Sequence, residues 1–543
     1  MGIQNLHIDR TILETKGYFA LVLHAHLPFV RHPEHARFLE EDWFFEALTE
    51  TYLPLLEVFE GLAHDGVHFR VTLSLTPPLL SMMTDPLLQQ RYLNYLDERL
   101  EALAGEQRRT SGDANYHPVV LFYTELFTRL RKRFVEQDRM DVSQSFRRLM
   151  EAGHLEIITC GATHGYFPLL AVNEESIYAQ LSMAVRTHER ILGRRPRGIW
   201  LPECGYKPGV DRILNEFGIE YFILDSHGLL NAEPRPRYGV HRPIRTPGGP
   251  AAFARDYESS KQVWSAEEGY PGDFLYREFY RDAGFDVHQP HIEKLRHAGI
   301  ATFTGLKYHR ITGKTAWKEP YHPGWARDRA AEHAGHFLFN RQQQVQWLTS
   351  FLDRPPVILA PYDAELFGHW WFEGPQWIDF LLRKMAYDQS DVKPITPAEY
   401  IDRFGDLQPA SPPECSWGAG GYHEVWLNGA NDWIYPYLHA AAERMSALVQ
   451  RFPDAQGMQR WALDQAAREL LLAQSSDWAF IMKTGTSVEY AVRRQKTHIH
   501  RFDRLATMAE SGGYDEGYLR EVAARDSPFP DMDYRIFQTR PWV

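Results

Sequence analysis

The chain has 543 residues, 44% of them hydrophobic and 24% charged, which is ordinary for a water-soluble globular protein large enough to bury several cores. Lys and Arg total 59 against 71 Asp and Glu, a net charge of −12 that offers no overall basis for binding nucleic acid. No stretch approaches the roughly 18 apolar residues of a membrane span.

The first fifteen residues hold no unbroken apolar core, and the run that follows, Phe19–Leu23, breaks at His24, so no secretory signal is expected. Cys160, Cys204 and Cys415 lie far apart, with no CxxC, which argues against a disulfide framework or zinc knuckle and fits a reducing cytoplasm. Aromatic residues reach 13%, enough to build a core and still line a groove for flat ligands such as sugars.

Six short apolar runs each end abruptly in polar, aromatic or Gly/Pro residues: Phe19–Leu23, Phe69–Leu75, Leu155–Thr159, Gly198–Leu201, Tyr221–Leu224 and Val357–Leu359. Such runs suit strands covered on both faces, and helical patterns such as Val210–Phe217 lie between several of them. The alternation predicts an α/β fold with a parallel sheet whose carboxyl ends converge on one site, in either a barrel or an open sheet. Residues 82–150 depart from the theme and predict a helical insertion after the second strand. Residues 231–250 hold five prolines and three glycines and predict a lid-like loop. Beyond about residue 430 the periods become helical.

Two sets of residues carry chemistry. His24 and His26, two apart after a strand, form a plausible zinc shell with His164 and an acid; alternatively they bind a polar ligand through hydrogen bonds. Glu203 and Asp363 each follow an apolar run, where an unpaired acid is costly unless functional. A lone acid there usually pairs with arginine or caps a helix. Two acids flanked by Trp200, Tyr206, Tyr362, Trp370 and Trp371 instead match the carboxyl pair of glycoside hydrolysis.

These residues resemble a known family. His24-Ala-His26-Leu-Pro28, Gly161-Ala-Thr-His-Gly165, Trp200-Leu-Pro-Glu-Cys-Gly-Tyr206, Asp363 through Trp371, and Ser416 through Asn428 are similar, in order, to the five conserved regions of glycoside hydrolase family 57. Ser475-Ser-Asp-Trp478 fits as well. The resemblance spans residues 17 to 525 and is nearest to the α-1,4-glucan branching enzymes and their α-amylase-like relatives. It implies an incomplete (β/α)7 TIM-like barrel over residues 1–405 and a mainly helical C-terminal domain over 406–543 that contributes to the groove. It implies a retaining mechanism with Glu203 as nucleophile and Asp363 as general acid/base, acting on an α-glucan without metal or other cofactor. His24, His26 and His164 would then bind sugar. Trp264, Trp417 and Trp426 would line the groove, Asp477 would reach in from the helical domain, and Glu365 and His369 would support the site from behind.

One feature departs from the pattern. The family's branching enzymes carry an extended lid with a tyrosine at its tip between nucleophile and groove tryptophan. Here the interval from Glu203 to Trp264 is short, and only 231–250, with Tyr238, can serve. Branching therefore stands beside amylase-like hydrolysis, and a zinc-dependent deacetylase or amidohydrolase stands as the reading from another class.

Overall fold

The computed structural model describes residues 15–265 and 268–539. The first fourteen residues, part of the stretch read for a secretory signal, and the last four of the helical region lie outside them. Among the described residues no helix is long and apolar enough to cross a membrane.

The fold is α/β with a helical C-terminal region. Among the described residues nine strands are present: β1 Gly17–Ala25, β2 Val71–Leu75, β3 Leu155–Ile158, β4 Gly198–Ile199, β5 Tyr221–Leu224, β6 Ile244–Arg245, β7 Ala251–Ala254, β8 Val357–Asp363 and β9 Val392–Pro394. One sheet runs β3-β2-β1-β8, all parallel, with β9 added beside the start of β1. The other runs β4-β5-β7-β6, parallel except for β6. A parallel bridge from Thr159 to Ile199 joins the sheets at one edge. At the other, the Asp256 amide donates to the Leu359 carbonyl at 2.9 Å.

Side-chain alternation explains why the runs are apolar throughout. Ala20 and Val22 of β1 point to the same interior cluster as Ile158, Ile223, Phe253 and Leu359, drawn from both sheets. Phe19, Leu21 and Leu23 face the other way, into the core shared with the surrounding helices. All nine residues of β1 are buried, as expected for a strand covered on both faces.

The helical insertion between β2 and β3 is present, carried mainly by helices Pro86–Thr110, His117–Lys132 and Ser143–Glu151. The C-terminal helices Ile434–Arg451, Gly457–Ala473 and Val488–Ser511 enclose a second core around Leu463, Leu470 and Phe502.

Three strands depart from the sequence reading. β7, Ala-Ala-Phe-Ala, lacks the β-branched residues that mark a strand, yet it is fully buried beside β5. β9 is short and polar in its middle. β6 falls inside the 231–250 stretch, which is otherwise irregular apart from one turn at Gly239–His241. That stretch is pinned along its length to residues 408–411: Arg245 donates to the Gln408 carbonyl at 2.9 Å, and Glu233 and Ser411 exchange backbone bonds at 3.0 and 2.8 Å.

After β8 the chain makes a tight turn at Gly368, where φ is +118° and an added Cβ would lie 1.8 Å from the Glu50 carbonyl oxygen. Only glycine fits that backbone. Gly368→Ala is expected to cost about 3 kcal/mol or more, read as a lowered thermal midpoint by circular dichroism. An unchanged midpoint would contradict the close approach.

Candidate active site

A cavity of about 710 Å³ opens at the carboxyl ends of the strands. Its floor is set by strand termini. β1 delivers His24 and, just beyond, His26; β8 ends on Asp363; the turn after β4 carries Glu203; and Arg255 follows β7.

Glu203 sits in a tight turn, Pro202–Cys204, with φ 60° and ψ 25°. His164 and Cys204 share this left-handed conformation, at φ 59° and 50°. Three non-glycine residues held there at one site mark backbone strain stored where side chains must be aimed. The Glu203 carboxylate accepts from Trp417 Nε1 at 2.8 Å, while the Trp417 amide donates to the Glu203 carbonyl at 3.0 Å. Burial pushes the Glu203 pKa up to about 7 against the pull of that indole N–H. Asp363 is raised well above the usual carboxylate range, first by burial, then by the charges of Glu365 and Glu203, with Arg255 opposing. Arg255 is held by Asp225 in two bonds, of 2.9 and 2.7 Å from Nε and Nη2, which fixes the plane of its guanidinium. Glu365 also rises to about 7 through burial, although Tyr52 Oη and the His26 amide both donate to it.

Three histidines form one stacked group. His24 lies flat on Trp200, with centroids 4.6 Å apart, and His26 stacks on His164 at 3.9 Å. Their ring nitrogens are taken up by neighbours. His24 meets Ser74 Oγ at 3.1 Å and His164 Nε2 at 3.0 Å, and His164 meets Ser476 Oγ at 2.8 Å. His26 meets Thr76 Oγ1 at 3.0 Å and donates to both Asp477 oxygens at 3.1 Å. Burial and mutual repulsion lower the pKa values of His24 and His164 well below normal, leaving neutral rings. Burial alone would raise Asp477, yet the charge and hydrogen bond of His26, then His164 and Ser475, bring it to about 2. His26, His164 and Asp477 offer ligand atoms within 4.8 Å of one another, the spacing of a metal site. Both nitrogens of each ring already face protein partners, two of them within the cluster itself, so no ring aims a free lone pair at a common point as zinc ligation requires.

Aromatic rings form the walls. Trp417 packs edge-on against Trp200 at 5.0 Å and against Trp264 at 6.4 Å. Trp264 is 37% exposed. Trp426 reaches the lining, but it is almost wholly buried and stacked on Tyr166 at 4.4 Å. His369 lines the cavity while its Nδ1 contacts Glu50 at 2.6 Å, and Glu50 also accepts from Arg277 at 2.8 Å.

The structure thus brings Glu203, Asp363, His24, His26, His164, Trp264, His369, Trp417, Trp426 and Asp477 to one cavity. Tyr238 is elsewhere, which corrects the lid expectation. Its hydroxyl donates to Asp353 at 2.7 Å, and Asp353 precedes β8 by four residues, whereas Asp363 ends it. The seven residues of β8 span about 20 Å, so Tyr238 lies toward the opposite end of the sheet. Sequence reasoning also missed Arg255, hidden behind an alanine-rich strand, although an apolar run ending in Arg-Asp was its available signal. Trp43 and Glu46, from the helix Glu41–Ala47, enter the wall with no sequence signal at all.

Comparisons agree with this geometry. Residues 20–409 match the model of glycosyl hydrolase family 57, and residues 437–537 match the C-terminal region of 1,4-α-glucan branching enzymes. A 1,4-α-glucan branching enzyme of Thermococcus kodakarensis is 36% identical, covering 95% of this chain and 77% of that one. The crystal structure of an α-amylase from Thermotoga maritima superposes with a TM-score of 0.91 at 43% identity, covering 97% of this chain and all of that one. A branching enzyme of the same family from Pyrococcus horikoshii superposes at 0.87 with 34% identity, covering 97% and 98%.

The raised Glu203 pKa has a consequence for stability. The folded state keeps a proton that the unfolded chain releases between the ordinary value of 4.5 and about 7, so folding stability from this group falls as pH rises through that window. Glu203→Gln removes the penalty. It is expected to be more stable than wild type by about 1–3 kcal/mol at pH 8, with the advantage shrinking toward pH 4. Thermal midpoints at the two pH values check this, and a variant less stable at pH 8 would contradict it.

Proposed function

The chain belongs to glycoside hydrolase family 57, and from that premise we propose that it is a cytoplasmic, retaining 1,4-α-glucan branching enzyme. The observation that carries the reading is the pair of buried carboxyl groups, Glu203 and Asp363, with raised pKa values in a cavity walled by tryptophan. Three unpaired, buried cysteines go with a reducing compartment. In this reading the seven parallel strands β1–β5, β7 and β8 form an incomplete barrel, divided from the helical domain near residue 405.

Glu203, ionised, attacks the anomeric carbon of an α-1,4-linked glucose while Asp363, protonated, gives its proton to the departing oxygen. Indole N–H donation from Trp417 holds Glu203 in its ionised rotamer. His24, His26, His164 and the Asp477 carboxylate trade hydrogen bonds within their cluster for hydroxyls of the sugar at the cleavage point, and Trp264 and Trp417 stack on its neighbours. Asp363, now a base, takes the proton of an acceptor's 6-hydroxyl, which displaces Glu203 and leaves an α-1,6 branch. Water in place of that hydroxyl gives hydrolysis.

Hydrolysis is the second reading, favoured by two observations. The connection from β5 to β7 places no tyrosine over the cavity, and the α-amylase structure matches over the whole of its length. Incubation with amylose separates the two by counting α-1,6 linkages against new reducing ends. Branching predicts more linkages than ends; mainly reducing ends would establish the hydrolase. Glu203→Gln should lower both by about a thousandfold or more, and smaller losses would remove Glu203 from the nucleophile's role.

The activity profile should rise with pH as Glu203 ionises, near the value of about 7. Trp417→Phe deletes a hydrogen bond to the charged form, so the acid limb should move to higher pH. A limb that stays in place would contradict the bond's influence on Glu203.

A further inference from the structure

A second cavity, of about 470 Å³, lies outside the catalytic one and shares none of its residues. Its wall includes Tyr257 and Trp347, which are 67% and 65% exposed. Large rings so exposed gain little from the core, and they present flat apolar faces to solvent. Between them Leu230 and Val240 share the wall with a group of polar side chains. Gln344 Nε2 donates to Asp256 Oδ1 at 2.8 Å, which fixes the amide, while Gln344 Oε1 is buried without a protein partner. His241 Nδ1 is likewise buried and unpartnered. Burial and Arg341 lower the His241 pKa against the pull of Asp256, so the ring is a neutral hydrogen-bonding group. Gln343 supplies another exposed amide.

Flat rings beside fixed amides and a neutral imidazole are the chemistry that recognises a sugar, with a C–H face to stack on and hydroxyls around its edge. The cavity's position adds direction. Tyr257 and Trp264 begin and end one helix, Tyr257–Trp264. Seven residues apart, they lie on nearly the same helical face about 10 Å from each other. Trp264 lines the catalytic cavity and Tyr257 the second one. One helix therefore carries an aromatic step at each site, spaced for a few sugar rings.

We propose that this cavity is a second α-1,4-glucan-binding site, holding a part of the chain that is not being cut, along the helix Tyr257–Trp264. The choice of glucan rests on the function proposed above. Retention of the protein in native gels containing amylopectin tests it. The parent is Glu203→Gln, so that the polysaccharide is not consumed. Adding Tyr257→Ala and Trp347→Ala should weaken the apparent affinity about fivefold or more, and Trp347→Phe should retain most of it. Both rings are exposed, so thermal midpoints should stay within about 2 °C of the parent, as a check on folding. Equal retardation of parent and double variant, or no retardation of the parent, would overturn the proposal. Activity assays read the function separately. Wild type that turns over amylose while the double variant binds unchanged defeats this site alone. Retardation that depends on Trp347 in a protein that neither branches nor cleaves amylose upholds the site and defeats the function.

Discussion

Two carboxyl groups buried in one cavity cannot both carry charge at neutral pH, and the site is arranged around that constraint. Glu203 and Asp363 each lose solvation, and each raises the other's pKa or is raised by a nearby acid. The protein leaves the conflict unrelieved. Arg255 is bound to Asp225, and His24 and His164 are neutral. Full negative charge is accepted only at Asp477, where His26 donates to both oxygens. Acids whose environments set their proton affinities apart are what an acid/base pair requires.

The scaffold holds this arrangement by drawing on distant parts of the chain. Strand ends supply His24, Asp363 and the turn that carries Glu203. The segment after residue 410 crosses the same face and places Trp417 on Glu203 by a backbone and a side-chain bond. The helical region contributes Ser476 and Asp477 at the start of the helix Ser476–Thr484. Left-handed backbone at His164, Glu203 and Cys204 is tolerated because these contacts over-determine it.

Much of this was legible in the sequence. Phe19–Leu23 and Val357–Leu359 read as strands because both faces of each are buried, and an acid or histidine at the end of such a run stands out. The ordered motifs, and the family resemblance for Trp264, led to every cavity residue named above except Arg255, Trp43 and Glu46. β7 was hidden because alanines pack closely in a crowded interior without announcing a strand. Tyr238 was misplaced for a different reason. Its loop composition is evident from prolines and glycines, but composition does not say at which end of a sheet a loop lies. The bonds to Asp353 and to residues 408–411 decide that, and they are long-range.

The central claim is that Glu203 forms a covalent bond to the sugar while Asp363 manages the proton. Asp363→Ala, supplied with an α-maltosyl fluoride whose leaving group needs no acid, should accumulate the glycosyl-enzyme because the base for the second step is gone. Mass spectrometry of the digested protein should find the added maltosyl mass on the peptide containing Glu203. An adduct on another residue, or fluoride release with inverted product and no adduct, would contradict the account.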